Sequence, residues 1–267
     1  MVSLFFWIIL LSFPTLMSFF VLGGWFIILW VALGIILAYF LTLVFFLIFQ
    51  IPFLSKTPVK CKYRDYLTRS VAYFFNHYIF NVRVKTIGIE NLPKSGSVVV
   101  YANHKSFIDP FVIMEAMNRG CGYTPKESLY KIWILRAWFK IMRCMKIDRN
   151  DNRKTAEALV KAIADVKSGY CMTVFPEGTS KMRDSEEMAQ AKAGAFKIAQ
   201  KSNAVIVPVS IIGATGTVKR IPFKRTRIKV IFHPAIKSKS YIGQTTTQIA
   251  DQVLSIVNQG VHDYENN

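Results

Sequence analysis

Three patterns of apolar residues follow one another along this chain. From Met1 to Ser55 apolar residues are nearly continuous, and no Asp, Glu, Lys, Arg or His occurs before Lys56. A membrane-crossing helix needs about 20 apolar residues. Residues 3–22 supply one such stretch and 25–50 a longer one, with Gly23-Gly24 as the break. Pro14 in the first stretch invites a kink, so a re-entrant segment competes with a full span there. A secretory signal fits neither stretch, because it wants a basic n-region and an apolar run of only about 7–15 residues.

Beyond Lys56 the apolar positions recur at helical or strand spacing. Residues 66–80 place Leu67, Val71, Phe74 and Phe75 on one side of a helix. Helices are also predicted over 111–117, 151–166 (with Ala156, Leu159, Val160 and Ile163 inward), 188–201 and 245–260. Strands are predicted over 82–89, where Val82, Val84 and Thr86 alternate, and over 98–102, 145–148, 171–175, 205–212 and 227–232. Strands separated by helices imply an α/β domain: a mainly parallel sheet flanked by helices, with the site on loops at strand C-terminal ends. The predicted organisation is a hydrophobic helical membrane anchor over 1–55, read as a two-helix hairpin, a basic linker and amphipathic helix over 56–80, and a catalytic domain over 81–267.

Charge sharpens this picture. The chain carries a net +18, and residues 56–155 hold 19 basic against 7 acidic residues, a net of +12. Lys and Arg beside a hydrophobic segment mark its cytoplasmic side, and a basic surface near a bilayer is drawn to anionic head groups. The expectation is an integral membrane protein with its catalytic domain on the cytoplasmic face. Lys56, Lys60, Lys62 and Arg64 are expected to ride on the head groups. Residues 123–145 mix Tyr130, Trp133, Trp138 and Phe139 with Lys131, Arg136, Lys140 and Arg143; a membrane-contacting face and a helix with a solvated basic side are both open. Residues 219–229 hold six basic residues, open equally to an anionic-lipid loop and a plain basic hairpin. Nucleic acid is not an expected partner of a chain with an uncharged anchor and no nucleic-acid motif. The four cysteines and four histidines form no ligand-spaced cluster, so neither a metal site nor a disulfide framework is expected.

The candidate chemistry begins where the strand at 98–102 runs into Asn103-His104-Lys105-Ser106-Phe107-Ile108-Asp109-Pro110. On one helix, five residues would set His104 and Asp109 about 140° apart around the axis. A strand–turn–helix, with Pro110 in the first helical turn and Asp109 at the N-cap, lets the turn fold His104 back over the helix start. An Asp that accepts from one imidazole nitrogen leaves the other free to take a proton from a hydroxyl.

A second β-rich run leads into Phe175-Pro176-Glu177-Gly178-Thr179. With Asn103, His104 and Asp109, this loop resembles the paired motifs of the lysophospholipid acyltransferase family. The similarity extends to Lys126, Glu127 and Leu129, to Ile147, Asp148 and Arg149, to Lys192, Gly194 and Ala195, and to Val207, Pro208 and Val209. It covers roughly residues 80–215.

The resemblance implies acyl transfer from an acyl thioester, carried by CoA or acyl carrier protein, to the free hydroxyl of lysophosphatidic acid, giving phosphatidic acid in phospholipid biosynthesis. No cofactor beyond that co-substrate is implied. His104 would be the base and Asp109 its orienting partner. Because no Gly-x-Ser-x-Gly elbow occurs, direct attack of the substrate hydroxyl replaces an acyl-enzyme. Asn103 has two readings, orienting the loop or donating to the acyl group. Lys126 and Arg149 are implied as phosphate partners, with Glu177 and the amides of Gly178 and Thr179 lining the glycerol site. The chain departs from the family at Ser180, where Arg is usual. Either Lys181 takes over as a point charge, or the acceptor is a different lysophospholipid or a lyso-aminolipid. A catalytically silent lipid-binding protein of the same fold is the rival from another class.

Overall fold

The structure, a computed structural model, describes residues 1–21, 24–58, 60–147, 152–178 and 185–265. It divides into two compact units, Met1–Thr57 and Pro58–Asn267.

The first unit is a pair of apolar helices, α1 (Val2–Phe20) and α2 (Phe26–Val44). Through a π turn (Phe45–Phe49) α2 continues into the short α3 (Ile51–Leu54). The run Phe26–Leu54 is 29 residues, roughly 40 Å at helical rise, against about 30 Å of bilayer hydrocarbon. Both helical runs are long and apolar enough to cross a membrane. α1 continues through Pro14 without a break. Pro14 leaves no room for a side chain opposite it: a Cβ on Gly34 would come within 2.9 Å of the Pro14 ring. Phe5 stacks on Phe45 at 5.1 Å, and Phe6 lies 4.8 Å from Tyr39.

In the second unit, α4 (Lys62–Phe74) starts four residues earlier than its spacing predicts and ends in a π turn. The Cys61 sulfur, accepting from the Arg64 amide, caps it. Arg64 is not on the surface. It is buried, donates to the Pro58 carbonyl and Asp65, and lies over the Tyr170 ring at 5.3 Å. A guanidinium satisfied this way packs inward, so the expected head-group role does not extend to it.

Six strands follow among the described residues: β1 (Val82–Ile87), β2 (Val98–Ala102), β3 (Cys121–Gly122), β4 (Cys171–Val174), β5 (Val205–Ile212) and β6 (Thr226–Phe232). Their order is β1-β6-β5-β2-β4-β3, and every pairing is parallel except β5 with β6. The sheet is mainly parallel, as its sequence pattern predicts. β2 is buried along its whole length, which is why it reads as a continuous apolar run rather than an alternating one. Helices α5 (Asp109–Ala116), α6 (Trp133–Ile141), α7 (Asn152–Lys167), α8 (Lys197–Ser202) and α9 (Thr246–Glu265) complete the unit. One core cluster gathers Val99, Tyr101, Met172, Val174 and Ile206 with Val166, Phe196 and Val253.

Four local expectations change. α7 turns Ala158, Leu159, Ala162 and Val166 to the core, while Ala156 and Val160 face outward. Residues 188–192 are irregular rather than helical, because tertiary hydrogen bonds hold their backbone: the Met188 amide to Asn258 Oδ1 and the Lys192 amide to the Pro176 carbonyl. The strand expected over 145–148 is reduced to a single bridge, Ile147 with Lys126, among its described residues. The two-residue β3 was not predicted.

Candidate active site

β2 and β4 are parallel neighbours, with Tyr101 opposite Val174. Their C-terminal loops therefore emerge side by side, bringing Asn103-His104-Lys105 against Phe175-Pro176-Glu177. Motifs some 73 residues apart in sequence become one joint.

Asn103 sits at the root of that joint, fully buried. Its Nδ2 donates to the carbonyls of Glu186 (2.6 Å) and Ile211 (2.8 Å), and its Oδ1 accepts from the Ile211 amide at 2.7 Å. Every hydrogen-bonding group of the amide is committed to backbone. Of its two readings, loop orientation is the one the geometry supports.

The His104 ring is about 20 % exposed, with Nδ1 2.8 Å from Asp109 Oδ2. The same carboxylate oxygen accepts from the amides of Lys105 (2.7 Å) and Ser106 (2.8 Å), while Oδ1 has no partner among the described residues. A carboxylate is an acceptor only, so Nδ1 carries the proton and Nε2 presents a lone pair outward. Phe175 stacks on the imidazole at 4.3 Å and 23° and fixes the ring plane. Asp109 is the first residue of α5 rather than its N-cap. The amides it satisfies are those of the preceding turn, not those of the helix. Helix α5 is itself pinned to the π turn that ends α4 through Glu115, which accepts from Asn76 Nδ2 at 2.7 Å and lies 3.0 Å from His77 Nε2.

Glu177 is buried. Its Oε1 accepts from the His104 amide at 2.8 Å, and its Oε2 pairs with the Lys105 ammonium at 3.0 Å. Both oxygens hold partners inside the protein, so the carboxylate, implied as part of the glycerol site, ties the two loops together. Gly178 adopts φ +67°, a backbone that favours glycine, and its amide donates to the Phe175 carbonyl within the turn. A Cβ there would lie 3.0 Å from the Lys192 ammonium, which places that cation against the loop.

Lys126 is exposed on the segment after β3, bridged to Ile147. No hydrogen bond or ion pair among the described residues joins it to the His104–Asp109–Glu177 set. Arg149, Thr179 and Lys181 lie outside the described residues.

Four participants were not read from the sequence as such: Lys105, Phe175, Glu186 and Lys192. Glu186 receives the Gly213 and Thr215 amides on Oε1 (3.0 and 2.9 Å) while its own carbonyl holds Asn103. Burial, aided by the Asp109 charge, holds its carboxyl above the usual glutamate range against those amide donations.

A mainly parallel α/β sheet that presents an Asp-steadied imidazole at its carboxyl edge, next to a Phe-Pro-Glu-Gly loop, defines an acyltransferase-type domain. A family model described as Acyltransferase matches residues 83–212. A probable 1-acyl-sn-glycerol-3-phosphate acyltransferase of Mycoplasma pneumoniae is 32% identical over 200 residues, covering 70% of this chain and 74% of the relative. The 1-acyl-sn-glycerol-3-phosphate acyltransferase of Saccharomyces cerevisiae is 28% identical over 203 residues, 73% of this chain and 66% of the relative. The crystal structure of the 1-acyl-sn-glycerophosphate acyltransferase PlsC from Thermotoga maritima shares the fold, with a TM-score of 0.67 at 24% identity over 86% of this chain and 93% of that one. The chain belongs to the 1-acyl-sn-glycerol-3-phosphate acyltransferase family and is an enzyme, not a silent bearer of the fold.

Proposed function

We propose that the chain transfers a fatty acyl group from an acyl thioester to the free hydroxyl of lysophosphatidic acid, yielding phosphatidic acid for phospholipid synthesis. The single observation that carries this reading is the His104–Asp109 pair, with Nδ1 held at 2.8 Å and a partly exposed ring edge left to act. As the hydroxyl oxygen attacks the thioester carbonyl, His104 Nε2 takes its proton and Asp109 stabilises the imidazolium. Collapse of the tetrahedral adduct breaks the C–S bond, and the imidazolium returns the proton to the departing thiolate. The donor is CoA- or acyl-carrier-protein-bound, and no other cofactor enters this scheme. The two apolar helices hold the enzyme in the membrane, with the catalytic unit on the cytoplasmic side. Membrane lipids and the two substrates are its partners, and nucleic acid is not.

Ser180 favours a second reading of the acceptor alone. Without the bidentate Arg the family usually carries there, the same chemistry would also suit another lysophospholipid or a lyso-aminolipid. Purified enzyme incubated with radiolabelled acyl-CoA and each lysolipid separates them. Phosphatidic acid is the expected product, and His104→Ala should cut its formation by about 10²–10⁴-fold. An unchanged rate in that variant would remove the imidazole from the mechanism.

A further inference from the structure

The loop joining β5 to β6, residues 213–225, carries near its end a phenylalanine that nothing covers. Phe223 is 95% exposed. A single exposed apolar residue is ordinary; this one differs in its mounting and its surroundings. The Ile221 amide donates to the Thr217 carbonyl at 3.1 Å and the Lys224 amide to the Arg220 carbonyl at 2.8 Å. Asn81 Nδ2 holds the Pro222 carbonyl at 3.1 Å, the Asn81 carbonyl takes the Thr226 amide at 3.0 Å, and Arg220 donates to the Thr215 carbonyl. The ring is thus held away from the protein by a braced turn. Flanking it in sequence are Lys219, Lys224, Arg225 and Arg227, all exposed, with no acidic residue between 217 and 229. None of the four has an ion-pair partner among the described residues.

Its place in the fold matters as much. β5 runs parallel to β2, so the loop leaves the sheet at the edge where His104 sits. Its root is two hydrogen-bonded steps from the site, because Gly213 and Thr215 bind Glu186, whose carbonyl holds Asn103. On the other side of β2, the chain leaving β3 at the same edge carries exposed Ile132 and Trp133 beside Lys131 and Arg136. Exposed Phe107 lies between them, on the His104 loop itself.

We infer that the β5–β6 loop is a lipid-docking element, with Phe223 entering the interfacial region of an anionic phospholipid bilayer and Lys219, Lys224, Arg225 and Arg227 seated on its head groups. An exposed apolar ring flanked by cations without an ion-pair partner among the described residues matches the layering of an anionic bilayer: charge at the surface, hydrocarbon beneath. Docking there turns the His104 edge of the sheet toward the lipid. The inference stands on the surface of the fold and not on the acceptor proposed above.

The test uses the full chain in lipid nanodiscs, with Phe223→Cys carrying an environment-sensitive fluorophore and the unsubstituted chain, whose four cysteines are buried or half-buried, labelled in parallel. In discs containing phosphatidylglycerol the probe should emit to the blue and be quenched by lipids brominated near the glycerol backbone. Each Lys or Arg near an anionic surface strengthens docking by about fivefold, so Lys219→Gln/Lys224→Gln/Arg225→Gln should weaken it by about 100-fold and abolish the quench. Turnover is a separate readout: Phe223→Ser should slow acylation of a vesicle-embedded lysolipid several-fold while leaving a water-soluble short-chain acceptor unaffected. Water-like emission in anionic discs overturns the inference whatever the turnover. Equal quenching in purely zwitterionic discs overturns the flanking cations' part in it. A probe blind to lipid but shifted by an acidic acyl carrier protein reassigns the loop to that partner and overturns it too.

Discussion

Asp109→Asn separates two roles that one carboxylate oxygen performs. All three N–H donors, from His104 Nδ1, Lys105 and Ser106, converge on Oδ2, and Oδ1 has no partner among the described residues. An asparagine can therefore place its amide oxygen where Oδ2 stands and its NH₂ where Oδ1 stands. The imidazole tautomer survives; only the negative charge goes. A hydrogen bond to an ionised group is worth about 1.5–3 kcal/mol against about 0.5–1.5 for a neutral one, so the imidazolium loses about 1–2 kcal/mol of stabilisation. That corresponds to a fall in kcat of about 5–30-fold. A flipped tautomer, as seen when a triad aspartate is amidated, would cost about 10⁴. The buried, unpartnered NH₂ should also lower unfolding stability by about 1–3 kcal/mol. Steady-state acylation on purified variants, with thermal unfolding alongside, reads both. Wild-type turnover would reduce Asp109 to a loop brace, and a loss as large as that of His104→Ala would refute the placement of the amide oxygen.

Other substitutions test the joint from different sides. Lys105→Met leaves the Glu177 carboxylate buried without its cation, and should cost about 3–5 kcal/mol of stability by thermal or denaturant unfolding; Lys105→Met/Glu177→Gln should cost clearly less than the two single changes together, and strict additivity would deny the coupling. Lys192→Met keeps side-chain length and removes the charge beside Gly178, so KM for a phosphate-bearing lysolipid should rise about fivefold at constant kcat; an unmoved KM would take Lys192 out of acceptor binding. Glu186→Gln keeps an oxygen for the Gly213 and Thr215 amides. The wild-type carboxyl titrates above its ordinary value near 4.5 in the fold, so its contribution is fully present below that value and is lost as pH rises through the raised one. The Gln variant should therefore gain on wild type in Tm as pH rises above about 4.5, and parallel Tm–pH curves would contradict the burial argument.

The strands were the legible part of this fold, for a physical reason. β2, β4 and β5 are buried along almost their whole length, so β2 and β5 stand out as runs rich in Val and Ile, and β4 as a short run without a charge, that water would penalise anywhere else. α7 shows where periodicity fails. On that alanine-rich helix the stripe through Ala156, Val160 and Ile163 competes with one through Leu159, Ala162 and Val166, and the packing of the sheet rather than the spacing decides between them. Residues 188–192 carry good helix formers, yet Asn258 and the Pro176 carbonyl take their amides first. β3 is too short, at two residues, to leave any periodic trace.

The site divides along the same line. His104 and Asp109 are legible because a turn between a strand and a proline-started helix brings their side chains together over five residues, a local matter. What surrounds them depends on β2 and β4 being neighbours, which spacing alone does not contain. Charge misleads most at Lys105: a lysine in a polar turn is by default solvated, and only a buried carboxylate arriving from another strand makes its burial tolerable. The same reasoning explains why Glu177, implied by the motif as part of the glycerol site, is found holding the joint together. A carboxylate that neutralises a buried ammonium and holds the His104 amide is fixed by both, and at 2% exposure it faces the protein rather than solvent, so its visible task is to keep the two loops in register.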